Sequence, residues 1–272
     1  MKPATEQAVK ESPSLDTRLQ SDWSLRQAEF GNVPQAVLLR NLPPQVNELI
    51  DKWHRSLLRW ILAPLVNQSD KWVADLGCGY GRMAHEAVTL GIQNVIGLDY
   101  EYGFCKKFQI DYGLAIRGSI AKPPFANSSI SAAYSITSLM YIGIEDAARG
   151  LELLDDSLKP GSCILLLEAG SEFNRISRCF LRKKKSQQLA VNGLTRADLR
   201  RIIPDSWRIV ASGSNAGTTA LLPFLLLCNR WHFAFGALSK LALWIDRPLK
   251  KDRDQRWRKL GLHRWVACEK AK

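Results

Sequence analysis

Val73-Ala74-Asp75-Leu76-Gly77-Cys78-Gly79-Tyr80-Gly81 is the stretch that decides how this chain folds. A short apolar run ends in an acidic residue, and three glycines then alternate with other residues before a helical pattern starts at Arg82. Glycine lets a backbone turn tightly and approach a ligand where a Cβ would clash. The start of the following helix offers free N–H groups. In an α/β fold such a loop lies at the carboxyl edge of the sheet, where cofactors bind. The dinucleotide fingerprint needs a small residue at the position Arg82 holds, and a phosphate-binding loop needs Gly-Lys-Ser/Thr, which is absent. Asp75 would repel a pyrophosphate and would pair with a cationic amine. The residues therefore point to an amino-acid-like ligand with an adenosine attached.

Outward from this loop, short apolar runs alternate with amphipathic stretches. The pattern predicts strands at Trp72–Leu76, Asn94–Asp99, Ala115–Arg117, Ile130–Ser135, Cys163–Glu168, Trp207–Ser212 and His263–Glu269. It predicts helices at Arg82–Leu90, Glu101–Tyr112, Ile144–Leu158 and Thr195–Ile203, the last opened by a Thr195/Asp198 capping box. Before the loop, Val46, Leu49, Ile50, Trp53, Leu57, Leu58 and Ile61 recur at helical spacing over about 45–63. Strict alternation of strand and helix predicts an α/β fold, a doubly wound sheet with helices on both faces. Residues 1–44 are polar and proline-rich and read as a flexible segment, leaving 45–272 as one domain. Residues of about 216–260 read as a helical, apolar and basic insertion before the last strand.

The loop Asp75-x-Gly77-x-Gly79-x-Gly81 resembles the first motif of class I S-adenosylmethionine-dependent methyltransferases, of the type 11 group. Four more features follow in that family's order: Asp99 closing Val95–Asp99, the Arg117–Phe125 loop, Ser135 ending the fourth predicted strand, and the Leu158-Lys159-Pro160-Gly161-Ser162 turn. The resemblance spans roughly 45–170 plus the final strands. It implies a Rossmann-like seven-stranded sheet and S-adenosyl-L-methionine as cofactor. It also implies roles. Asp75, Gly77, Gly79 and Gly81 hold the amino-acid end, Asp99 the ribose, Ser119 and Ile120 the adenine, Ser135 lies near the methionine part, and Tyr100 is a further cofactor-binding residue. Ser119 departs from the aspartate common at its position.

Methyl transfer is an in-line displacement, so the protein mainly positions the nucleophile, and a base takes a proton where the acceptor needs one. Tyr141, His54 and Glu168 are the candidate catalytic residues. Each has a structural alternative: a packed aromatic, a partly buried imidazole, a hydrogen-bonded carboxylate. His85 is expected to face away.

Composition frames the partners. The chain has 272 residues, 46% hydrophobic and 24% charged, which is globular and excludes collagen, coiled coil and wholesale disorder. Lys and Arg number 38 against 26 Asp and Glu, a formal net charge of +12, so an anionic partner is expected. No apolar leader opens the chain, and the six cysteines form no C-x-x-C pair, so a cytoplasmic protein without a metal site is expected. One basic cluster is Arg175, Arg178, Arg182 and Lys183 to Lys185; another runs from Lys250 to Lys259 beside an apolar stretch rich in Leu, Phe and Trp. That layout suits peripheral contact with an anionic inner-membrane face and a small or lipid-linked acceptor, with oxygen as the target. An RNA methyltransferase using the basic face and a non-catalytic membrane-associated protein are the alternatives.

Overall fold

In the computed structural model, residues 15–38, 42–171, 193–248 and 261–271 are described. The apolar runs become β1 (Trp72–Leu76), β2 (Asn94–Asp99), β3 (Leu114–Arg117), β4 (Ile130–Ile136), β5 (Leu158–Ala169), β6 (Trp207–Ser214) and β7 (His263–Lys270). They form one sheet in the order β3-β2-β1-β4-β5-β7-β6. β1 to β5 pair in parallel, and β7 runs antiparallel between β5 and β6. β4 is buried along its whole length, as a strand covered on both faces must be. The chain leaves β1 toward β2 and β3 on one side and returns to β4 on the other. The reversal opens a crevice at the carboxyl ends of β1 and β4.

Helices cover both faces, so the doubly wound α/β sheet expected from the sequence is the observed fold. On one face α3 (Pro44–Leu62), α4 (Arg82–Thr89) and α5 (Tyr102–Tyr112) place Trp53, Leu57, Leu58, Met83 and Phe108 against the sheet. On the other, α6 (Leu139–Ile142), α7 (Ile144–Ser157) and α8 (Arg196–Arg201) bury Leu139, Leu151, Leu154 and Leu199. The capping box before α8 is present: Asp198 N–H donates to Thr195 Oγ1 at 3.0 Å, and Thr195 N–H donates back to Asp198 Oδ2 at 2.7 Å.

The segment 1–44 departs from the flexible expectation where it is described. Residues Leu15–Phe30 form α1 and Pro34–Val37 form α2. The α1 sequence is mostly polar and weakly patterned, so periodicity alone does not reveal it. Tertiary contacts hold it in place: Ser24 Oγ donates to Glu101 at 3.1 Å, and the Trp23 ring packs edge-on against Phe104. β5 begins at Leu158 rather than Cys163, because Leu158 already pairs with Ile130, across a register shift from the Ala132–Cys163 pair.

The expected insertion opens as two helices, α9 (Ala216–Leu227) and α10 (His232–Asp246). The basic run Lys250 to Lys259 and the cluster Arg175 to Lys185 lie outside the described residues. The base of the helical pair is locked by one buried carboxylate. Asp246 accepts from Gly217 N–H at 2.6 Å, from Thr218 N–H at 2.7 Å and from Thr218 Oγ1 at 2.7 Å. Trp53 Nε1 donates to the Asp246 carbonyl at 3.0 Å, tying the pair to α3. Replacing Asp246 by Ala would strand these donors, at about 1–3 kcal/mol for each buried group.

Candidate cofactor and acceptor site

The crevice beside β1 and β4 contains a cavity of about 970 Å³ including its open mouth. The glycine loop forms its floor. Gly77 has φ +74°, and a Cβ there would strike the Ser138 side chain across the crevice. Gly79 also has positive φ and lines the cavity. Gly81, at φ +90°, lies behind the wall; its Cβ would collide with Tyr112, so it serves the turn into α4 rather than a ligand.

Two carboxylates line this floor. Asp75 stands one residue before the end of β1 and is buried; its Oδ2 has no partner at normal hydrogen-bond distance, with the buried Tyr134 hydroxyl beside it. Burial drives its carboxyl up to about 8; Tyr134 and Arg82 draw it down and Asp99 adds to the rise. A buried carboxylate with a bare oxygen is incomplete without a donor or a cation. Asp99 ends β2, and its two oxygens accept from Gly79 N–H at 2.8 Å and Glu101 N–H at 2.9 Å. Burial raises its carboxyl to about 6, and those amides hold it back from rising further. An ionised carboxylate has about four acceptor sites, so Asp99 keeps capacity for two ligand hydroxyls.

Tyr100, Ser119 and Ile120 also line the cavity. Ser119 Oγ accepts from Ala121 N–H at 3.2 Å, which shapes the turn. Ser135 is fully buried and does not reach the lining. The next three residues, Ile136, Thr137 and Ser138, take that place. Thr137 adopts φ +60°, a strained conformation for a β-branched residue, at the point where β4 turns into α6.

The three catalytic candidates separate. Tyr141 lines the cavity, edge-on to Trp23 with ring centroids 5.0 Å apart. Burial raises its phenol above the usual value, while the Arg26 guanidinium pulls it back. Glu168 is fully buried off the lining. Its carboxylate accepts from the amides of Ser138 at 3.2 Å, Leu139 at 3.0 Å and Met140 at 3.3 Å, so it anchors α6. Burial raises it to about 7, and those three amides oppose the rise. His54 is also fully buried off the lining, beneath α3, with its ring 4.8 Å from His263. Burial, then His263 and Arg82, lower its pKa, so it rests neutral. Neither Glu168 nor His54 reaches the acceptor end, and His85 is exposed on α4.

Sequence reasoning missed Trp23, Val37, Met83, Phe104, Thr137 and Ser138, all of which line the cavity. Thr137 and Ser138 were findable, because they follow β4 on the edge that carries the glycine loop. Trp23 and Val37 arrive from helices that leave little trace in the pattern. Arg82 also lines the cavity, and it is neutralised by an ion pair with Asp51 of α3, which fixes the start of α4.

A glycine-floored crevice with one buried carboxylate, Asp75, and one half-buried, Asp99, at a sheet's switch point defines a nucleoside-cofactor domain. Residues 74–166 match the family described as methyltransferase domain. A curated relative, the O-methyltransferase resE of Aspergillus sclerotiorum, is 27% identical over 134 residues, covering 46% of this chain and 50% of that protein. The chain thus matches half the length of that relative. Magnesium protoporphyrin IX methyltransferase from Synechocystis, solved with its bound cofactor, superposes with a TM-score of 0.56 at 15% identity, covering 97% of this chain and all of that one. An S-adenosylmethionine-dependent methyltransferase from Mesorhizobium loti gives 0.51 at 20% identity, over 78% of this chain and 98% of that one. These two likenesses establish the fold. Residues 74–166 thus carry the methyltransferase-domain match, on a fold shared with S-adenosylmethionine-dependent methyltransferases.

Proposed function

We propose that this protein transfers the methyl group of S-adenosylmethionine to an oxygen of a small or lipid-linked, largely apolar acceptor. The observation that carries the reading is one cavity with two kinds of lining. The glycine loop and the Asp75 carboxylate supply the polar part, and Trp23, Val37, Met83, Phe104 and Tyr141 supply an apolar, aromatic rim. The cofactor supplies the electrophile, a methyl group on a positively charged sulfur. Asp75 pairs with the cationic amine of its amino-acid end, which completes the unfinished carboxylate. Asp99 accepts from the ribose hydroxyls while keeping the glycine loop in shape. Ile120 offers an apolar surface to the adenine.

At the acceptor end the rim excludes water and orients the nucleophile. Tyr141 and Tyr80 are phenols of that lining, and burial raises the pKa of both, so Tyr141 stays protonated. It therefore donates a hydrogen bond to the acceptor oxygen rather than taking a proton. With Glu168 and His54 off the lining, the acceptor must ionise with little help. A phenol or a carboxylic acid meets that need, losing its proton to solvent before its oxygen takes the methyl group. The likeness to an O-methyltransferase supports oxygen as the target. The test is a panel of phenols, carboxylic acids, aliphatic alcohols and amines with labelled methyl donor. Turnover confined to the first two classes is expected. Turnover of amines or unactivated alcohols instead would overturn the assignment.

A further inference from the structure

The α9–α10 pair has apolar residues on two faces, and only one of them is covered. Inward, Leu225 and Ala242 pack with Leu49 of α3, and Leu222 joins Ile50 and Leu262, with Phe235 against both groups. Outward, α9 exposes Ala220, Pro223, Phe224 and Leu227, spaced three, one and three residues apart so that they share one face. α10 exposes Phe233, Ala237, Leu241 and Trp244, again along one face. The turn between the helices adds Trp231. The exposure is high: 76% for Leu227, 68% for Trp231, 93% for Phe233 and 61% for Trp244. A helix apolar all round belongs in a core or against lipid, and a monomer rarely exposes a patch of this kind without a use for it.

Charge selects the occupant. Across residues 216–248 the one acidic side chain is Asp246, which is buried in its clamp. The cations Arg230, Lys240 and Arg247 are exposed. Arg247 lies over the Trp244 ring at 5.6 Å, putting a cation beside an aromatic surface. The chain leaves α10 into residues 249–260, whose sequence holds Lys250, Lys251, Arg253, Arg256, Arg258 and Lys259 against Asp252 and Asp254. Exposed Trp and Phe rimmed by cations, with no exposed acid among residues 216–248, match the headgroup region of an anionic bilayer. The helices do not span it. With 12 and 15 residues they reach about 18 and 22 Å against a hydrocarbon core of about 30 Å. Among the described residues, no helix is long and apolar enough to cross a membrane.

We propose that the outer face of the α9–α10 hairpin docks this protein on an anionic lipid surface, lying in the interface with its base held rigid by the Asp246 clamp. The hairpin lies close to the cavity through its inward side, so the outer face is about one helix thickness away from it. Leu222 and Phe235 pack in one cluster with Val37, which lines the rim. A docked hairpin therefore brings the cavity near the bilayer surface.

The test is flotation of the full chain with vesicles of phosphatidylcholine alone or with phosphatidylglycerol at about one part in three. Binding to the anionic vesicles is expected, weakening as salt shortens the reach of the charges. The double variant Trp231→Glu/Phe233→Glu should lose binding by tenfold or more. Both side chains are exposed, so affinity for S-adenosylhomocysteine should not change, which shows that the variant folds. Arg230→Glu/Arg247→Glu should lose binding to anionic vesicles about tenfold. Failure of the wild-type chain to float with anionic vesicles at low salt overturns the proposal. So does undiminished binding by the Trp231/Phe233 variant. Light scattering showing a dimer that this variant dissolves, with no vesicle binding, would assign the face to a second copy instead.

Discussion

The cavity and the outer face of the hairpin are both unfinished surfaces, but they are unfinished in opposite ways. The cavity is concave, and what it lacks is polar: Asp75 carries a bare buried oxygen, and Asp99 keeps acceptor capacity beside a glycine floor. The hairpin is convex, and what it lacks is apolar: Phe224, Leu227, Trp231, Phe233 and Trp244 face solvent, while its one buried acid is fully engaged. A concave polar deficit is met by one small molecule of matching charge. A convex apolar surplus is met only by something extended. The contrast separates catalysis from placement, and substitutions in one region should leave the other unaffected.

The largest effect is expected at Asp99. Asp99→Ala should weaken S-adenosylhomocysteine by about a hundredfold or more, because two hydrogen bonds to a charged acceptor are lost and the Gly79 amide is freed. Calorimetry measures this, and unchanged affinity would break the ribose assignment. Asp75→Asn comes next, with a loss of roughly tenfold at pH 8 as the cation loses its counter-charge.

The pH dependence sharpens the same point. Free Asp75 holds its proton up to about pH 8, against an ordinary value of 3.8. Pairing with the cofactor amine requires that proton to leave, so affinity should climb between pH 6 and 8, by at most about tenfold per unit, and then level. Asp75→Asn should flatten the climb. The sign for stability is the reverse. The unfolded chain ionises this carboxyl near pH 4 while the free folded chain does not, so its contribution to stability is largest below pH 4 and is lost as pH rises to 8. Thermal unfolding with and without cofactor should therefore diverge more at pH 8 than at pH 6.

Tyr141→Phe should cut turnover severalfold, about the worth of one neutral hydrogen bond, with cofactor affinity unchanged. A larger fall in cofactor binding than in turnover would remove Tyr141 from the acceptor end. The smallest effect is at the hairpin: Phe233→Glu should leave both cofactor affinity and turnover of a soluble acceptor within about twofold.

Much of this was legible in the residues. β1 and β2 begin and end where their apolar runs do, because both strands are buried between glycine- or asparagine-bounded turns. The glycine loop, Asp75 and Asp99 could be placed because their spacing follows from a strand, a turn and a helix in succession. Ser135 is buried beside the cavity, whose lining begins one residue later at Ile136. Strand boundaries do not say which residue of a carboxyl end turns into the crevice, and Thr137 does so through a left-handed backbone. Glu168 and His54 have the right chemistry in the wrong surroundings. A sequence does not show that three amides of α6 consume a carboxylate, or that an imidazole lies under α3 against a second histidine. α1 was hidden for a different reason. Its helix depends on Trp23 reaching Phe104 and Tyr141, residues about 80 and 120 positions away.

The central claim is that S-adenosylmethionine binds in the glycine-floored crevice with its amine on Asp75 and its ribose on Asp99. Calorimetric titration of the full chain with S-adenosylhomocysteine at pH 8, repeated on Asp99→Ala, tests it most directly. The account predicts one site per chain in the micromolar range, nearly abolished by the substitution. Absence of binding by folded wild-type protein, or equal binding by the variant, would contradict it.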